Sequence, residues 1–167
     1  MRTILCLAAA LALIMNLACG KAPEETAETA LEHQNEKTTG GEADVDFSEE
    51  GMEITTEDAD GVSTWQAGDK AELPDDFPPD VYIPEGVSVD MVSDSPSGTV
   101  VALSTDIELA AIVEDYLKEM SAAGWTKMTD TEMDGGRMTL FLKDERTVNV
   151  GIFDEDGARG ISLSVSK

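Results

Sequence analysis

The feature that most constrains this chain is the alternation of apolar and polar residues between Arg137 and Ser166. Met138, Leu140 and Leu142 come first, then Val148, Val150 and Ile152, then Ile161, Leu163 and Val165. Side chains on a strand point alternately to its two faces, so this period marks half-buried strands, and the short connections make neighbours antiparallel. The three sets are expected to share one apolar face, leaving Thr139, Phe141, Thr147, Asn149, Phe153, Ser162 and Ser164 on the other. A further strand over about 125–133, closed by the turn Asp134-Gly135-Gly136, precedes them.

An apolar sheet face needs a cover, and one helix is available for it. Thr105-Asp106-Ile107-Glu108 has the capping-box spacing; Leu109, Val113, Tyr116, Leu117 and Met120 recur at helical intervals, and Gly124 is suited to a left-handed stop. Before it, Val87, Val89 and Met91 alternate, Asp94 to Gly98 make a turn, and Thr99 to Leu103 read as a strand. Leu73 to Pro84 holds four prolines among spaced apolar residues, which forbids helix; it should lie extended on a surface, pinned by Phe77, Val81 and Ile83. Earlier still, Met52, Ile54 and Thr56, the turn Asp60-Gly61, and then Val62, Thr64 and Gln66, with Trp65 on the opposite face, read as a hairpin. The expected class is α+β: one helix packed on a mostly antiparallel sheet of order ββ-α-ββββ at 73–167, preceded by a separate β-hairpin at 51–72.

The first fifty residues are of another kind. Arg2 followed by the apolar run from Ile4 to Met15 has the form of an export signal over 1–18, too short for a comfortable membrane span. Asn16-Leu17-Ala18-Cys19-Gly20 resembles the lipobox of bacterial lipoprotein precursors, with Asn16 where leucine is usual. The resemblance implies acylation of Cys19 and attachment to the cell envelope through an N-terminal lipid, the outer membrane being favoured where one exists. The alternative is an ordinary secretory signal cut after Gly20, giving a periplasmic or secreted product. Residues 19–50, rich in Glu, Thr, Ala and Gly, read as a flexible acidic tether.

A formal net charge of -24 excludes nucleic acid as a partner. Cys6 and Cys19 are the only cysteines and His33 the only histidine, so the body of the chain has no material for a disulfide, a zinc site or a His- or Cys-based nucleophile, and no cofactor is expected. Asp58-Ala59-Asp60-Gly61 and Asp154-Glu155-Asp156-Gly157 are calcium-loop fragments that lack an acid at the first and a glutamate at the twelfth position, and read as turns.

The stretch Leu73 to Gly86, with the pattern V-x-x-Y-L ending in Gly124-Trp125, resembles a group of uncharacterised bacterial lipoproteins and secreted proteins. Their domain runs from a Leu-Pro-x-Asp-Phe-Pro segment through a helix ending in Gly-Trp to a meander. The resemblance covers 73–167 and implies that order of elements and an envelope location, but no reaction. Phe141 and Phe153 on the polar face form a candidate contact patch, to be covered by the Trp65 hairpin and Phe77 or by another protein. The functional expectation is a noncatalytic, lipid-anchored accessory or interaction module with an envelope protein partner. The alternative is a binding protein for a small cation or basic peptide.

Overall fold

The computed structural model describes residues 42–155 and 158–166. Nine strands form one antiparallel sheet: β1 (Glu42–Ser48), β2 (Gly51–Asp58), β3 (Gly61–Gly68), β4 (Ser88–Ser95), β5 (Gly98–Thr105), β6 (Thr126–Met133), β7 (Gly136–Lys143), β8 (Arg146–Glu155) and β9 (Ala158–Ser166). Their spatial order is β1-β2-β3-β4-β5-β9-β8-β7-β6. The one helix among the described residues, α1 (Leu109–Ala122), lies between β5 and β6 in sequence and packs over β6, β7 and β8. The expected α+β class is therefore overturned: this is a sheet-dominated fold in which one helix covers part of one face. The hairpin expected to stand apart is β2–β3, and Trp65 to Ala67 pair with β4 in the same sheet. Strand also begins inside the stretch read as tether, because Glu42 to Ser48 pair in full register with β2.

The core lies between the sheet and a layer made of α1 and the proline-rich segment. Val101, Leu103, Phe141, Val148, Val150, Ile161, Leu163 and Val165 contribute from the sheet, and Ile112, Tyr116 and Met120 from the helix. Burying each such side chain stabilises the fold by about 1.5–3 kcal/mol. Leu109, Val113 and Leu117 of the expected helical stripe are only partly buried, because the stripe's centre falls on Ile112, Tyr116 and Met120. Leu73, Phe77, Tyr82 and Ile83 pack against the same core, with Val81 inside it, so the proline-rich segment does lie across a surface as its composition requires.

The helix ends as its sequence dictates, with Gly124 at φ 89, its N–H donating to Ser121 O and that of Trp125 to Met120 O. It does not begin as expected. Thr105 still belongs to β5, where it pairs with Arg159, and its hydroxyl accepts only from the N–H of Ile107. Glu108 occupies the cap position without a side-chain cap and extends its carboxylate to Arg159, 2.9 Å away.

The facing of β7 is a second correction. Lys143 pairs with Arg146 across a two-residue turn in which Asp144 takes φ 55. A two-residue turn pairs odd-numbered residues of one strand with even-numbered residues of the next. Phe141 thus faces the helix with Val148, and Thr139 with Val150, whereas Met138, Leu140 and Leu142 turn to the outer face with Gly151, Asn149 and Thr147.

Candidate functional site

The core beneath α1 is filled, so what could receive a ligand is the open groove at the helix's N-terminal end. It measures about 480 Å³ and lies between α1 and the β6–β7 turn. Leu109, Ala110 and Val113 form its helix wall, Met133 and the Gly135-Gly136 turn the opposite one, and Glu132, Arg137 and Asp154 its rim. Those three α1 residues line it because the helix stripe is centred elsewhere, leaving its first turns only partly covered.

The groove is held in shape by charge pairs. Arg137 donates from Nε and Nη2 to the two oxygens of Asp130, each at 2.6 Å, and Lys127 Nζ approaches the same carboxylate at 2.7 Å. The Arg137 guanidinium, aided by Lys127, holds the Asp130 carboxyl well below the usual carboxylate range. On the other side Arg159 donates to Asp154 at 2.9 Å and to the carbonyl of Asp106 at 2.9 Å, and it pairs with Glu108, tying the start of α1 to the ends of β8 and β9. The backbone N–H of Asp154 donates to Gly135 O at 2.7 Å, which fixes the turn. The arrangement offers an apolar trough with an acidic-leaning rim whose arginines are engaged by carboxylates. It has no nucleophile and base poised together.

At the opposite end of the helix layer, Asp80 accepts from Lys143 at 2.7 Å and from Arg146 at 3.0 and 2.6 Å. The Arg146 hydrogen bond, then Lys143, hold the Asp80 carboxyl well below its usual range. Both cations lie over the Trp125 ring, Arg146 at 5.0 Å and Lys143 at 5.9 Å, and the indole N–H donates to Asp80 O at 2.7 Å. The proline-rich segment and the Gly-Trp helix end, the two motifs of the family resemblance, thus meet in one clamp. Every group in it is engaged by another, which makes it a fastening of the segment.

Of the residues singled out from sequence, Cys19 and His33 lie outside the described residues. Phe141 and Phe153 are not brought together: Phe141 is buried on the helix side, at 1% exposure, and Phe153 stands on the outer face at 45%. Neither the Trp65 hairpin nor Phe77 covers the two as a pair, since the hairpin extends the sheet and Phe77 packs with the core. Asp58 caps its own turn, accepting from Asp60 N at 2.8 Å. Among the described residues no group of three His, Cys, Asp or Glu is placed to hold a metal ion. Sequence reasoning missed Arg137, Asp130 and Met133 because charged residues on a short strand read as a solvated face, and only the register of β6 on β7 puts them around one groove.

Residues 85–157 match a family model described as START domain-like. The matched span runs from just before β4 to just past β8 and contains every groove residue. No curated protein and no solved structure matches the chain.

Proposed function

We propose that the chain is a lipid-anchored envelope protein whose domain is a noncatalytic binding module, taking the apolar body of a small neutral or cationic molecule in the groove beside α1. The observation that carries this reading is the coincidence of the groove with the START domain-like span, a likeness that favours ligand binding. The volume suits a small ligand, since pockets for such molecules run to about 300–1,000 Å³. Leu109 and Val113 supply apolar contact, and Glu132 on the rim, within a chain of net charge -24, favours a neutral or cationic end over an anionic one. Attachment through Cys19 would keep the module at the membrane surface, and among the described residues no helix is long and apolar enough to cross a membrane.

Titration of the full-length chain with the neutral fluorophore N-phenyl-1-naphthylamine tests the groove. Saturable one-to-one binding is expected, weakened about tenfold or more by Val113→Glu, which sets a carboxylate in the apolar wall. Binding that never saturates, or that is untouched in a folded Val113→Glu chain, would refute it. The intact mass of the protein from host membranes tests the anchor: the chain from Cys19 plus acyl groups is expected, and an unmodified soluble chain beginning at Lys21 would exclude it.

A further inference from the structure

The outer face of the sheet, away from α1, is at odds with the composition of the chain. Its outward ladder positions run from Gly98 to Ser104 on β5, Gly160 to Ser166 on β9, Thr147 to Phe153 on β8, Gly136 to Leu142 on β7 and Thr129 to Met133 on β6; none of these is charged, and charge stands only at the margins, Glu155 at the next outward position of β8 and the Asp90 carboxylate accepting from Ser104 at 2.9 Å. In a chain with 28% charged residues, a solvated sheet face should carry several. Instead Val100, Met133, Met138 and Phe153 stand exposed there, at 38 to 47%. Single exposed apolar residues are ordinary; a wide face with an uncharged middle that also holds four of them is an interaction surface.

The occupant can be argued from the order of strands. β8 is the middle of the five, with β9 and β7 beside it and β5 and β6 outside. A twofold axis running along β8, in the plane of contact, lays β7 of one copy on β9 of the other and β6 on β5. The rows then match in size. Met138 shares a row with Gly151 and Ser162, and Leu140 one with Asn149 and Ser164. Across the axis Met138 meets Ser162 of the second copy and Leu140 meets Ser164, large against small in both directions. Asn149, on the axis, faces its own symmetry mate.

Area and charge agree. Five strands about 4.8 Å apart and about eight residues long cover roughly 600 Å² per copy, or about 1,200 Å² in total, the lower bound of a specific interface. Two chains of net charge -24 repel one another, and their closest approach is least opposed through a face whose middle carries no charge, the outward Glu155 position standing at one end of the axis, on the rim. We infer that this face is a homodimer interface, two copies of the chain packing outer face to outer face about a twofold along β8.

The test is a cysteine at Gly151, on the axis, where an added Cβ meets only ordinary contacts, Ser162 Cβ at 3.8 Å being nearest. The full-length Gly151→Cys chain, expressed in its host, is treated with a thiol-specific bismaleimide spanning about 10 Å, the face-to-face spacing of packed sheets. Val62→Cys, on β3 and off the face, is the control, and the parent chain gives the background of the native cysteines. Covalent homodimer is expected from Gly151→Cys alone. It should fall about tenfold or more when Met138→Glu is added, because each dimer would bury two unpaired carboxylates. Circular dichroism, expected unchanged because Met138 is exposed, shows that this chain still folds. Equal crosslinking from Val62→Cys, crosslinking to a different protein, no crosslink, or a dimer indifferent to Met138→Glu in the folded chain would each overturn the inference.

Discussion

The β4–β9 part of the sheet and its β1–β3 extension are woven from similar alternating strands, yet they present their apolar residues on opposite faces. From β4 onward the helix side is apolar, with Val92, Val101, Leu163 and Val150 in one row. Across the β3–β4 pairing the same side continues as Gln66 and Glu53, joined by a 2.8 Å hydrogen bond, with the Lys70–Asp46 ion pair nearby. The apolar members of the extension, Val45, Ile54 and Trp65, fall on the outer face. The difference follows from cover. α1 and the proline-rich segment bury only the helix side of the later strands, and a strand beyond their reach has no reason to turn its apolar residues that way.

The largest effect separates the two parts directly. Phe141→Ala should cost about 3–5 kcal/mol, the loss typical of a large aromatic side chain removed from a packed core. Ile54→Ala, in the half-buried extension, should cost about 1 kcal/mol or less. Urea unfolding of both variants measures the contrast, and equal losses would mean that the extension is as much core as the helix-covered part.

Next comes the clamp that fastens the proline-rich segment. Asp80→Asn should destabilise by about 1–3 kcal/mol, since Lys143 and Arg146 would keep each other's company without the carboxylate they share. Its pH dependence has a definite sign. Folding lowers the Asp80 pKa, so its ionised form favours the fold; that contribution is complete above the ordinary carboxylate value of about 3.9 and fades as pH falls below it. Between about pH 5 and pH 2 the natural chain should therefore lose more stability than Asp80→Asn. Parallel acid titrations of the two would contradict the clamp.

A smaller effect is expected at Gly160, where an added Cβ would run into Cε2 of Phe153. The ring rests directly on the glycine across β8 and β9, so Gly160→Ala must swing it aside at a cost of about 1 kcal/mol, the scale of an off-rotamer side chain. A change in the environment of Phe153, followed by aromatic NMR shifts, should accompany it. Smallest of all, Val62→Thr on the exposed margin of β3 should move the unfolding midpoint by no more than about 0.5 kcal/mol, and a larger loss would show that this margin is covered.

Much of the local structure was legible. The alternation in β8 and β9, the Asp60-Gly61 and Gly135 turns, the helix and its glycine stop are all decided by residues within a few positions of one another, and the structure keeps them. The groove was not legible, because Leu109 and Val113 belong to a stripe that sequence assigns wholly to the core, and Met133 and Arg137 join them only through β6–β7 pairing. The candidate patch failed for a related reason: Phe141 and Phe153 have the same parity in sequence but lie on strands joined by a two-residue turn, which sets them on opposite faces.

Neighbouring residues alone decide periodicity and punctuation: where strands run, where the chain turns and where the helix stops, in a strongly acidic chain whose first residues are apolar. Long-range pairing settles which face each strand presents, that an acidic stretch supplies the edge strand β1, and that the hairpin joins one nine-stranded sheet. Periodicity is a property of neighbours along the chain, whereas facing is settled by register and by which side finds cover, and those depend on partners far away in sequence.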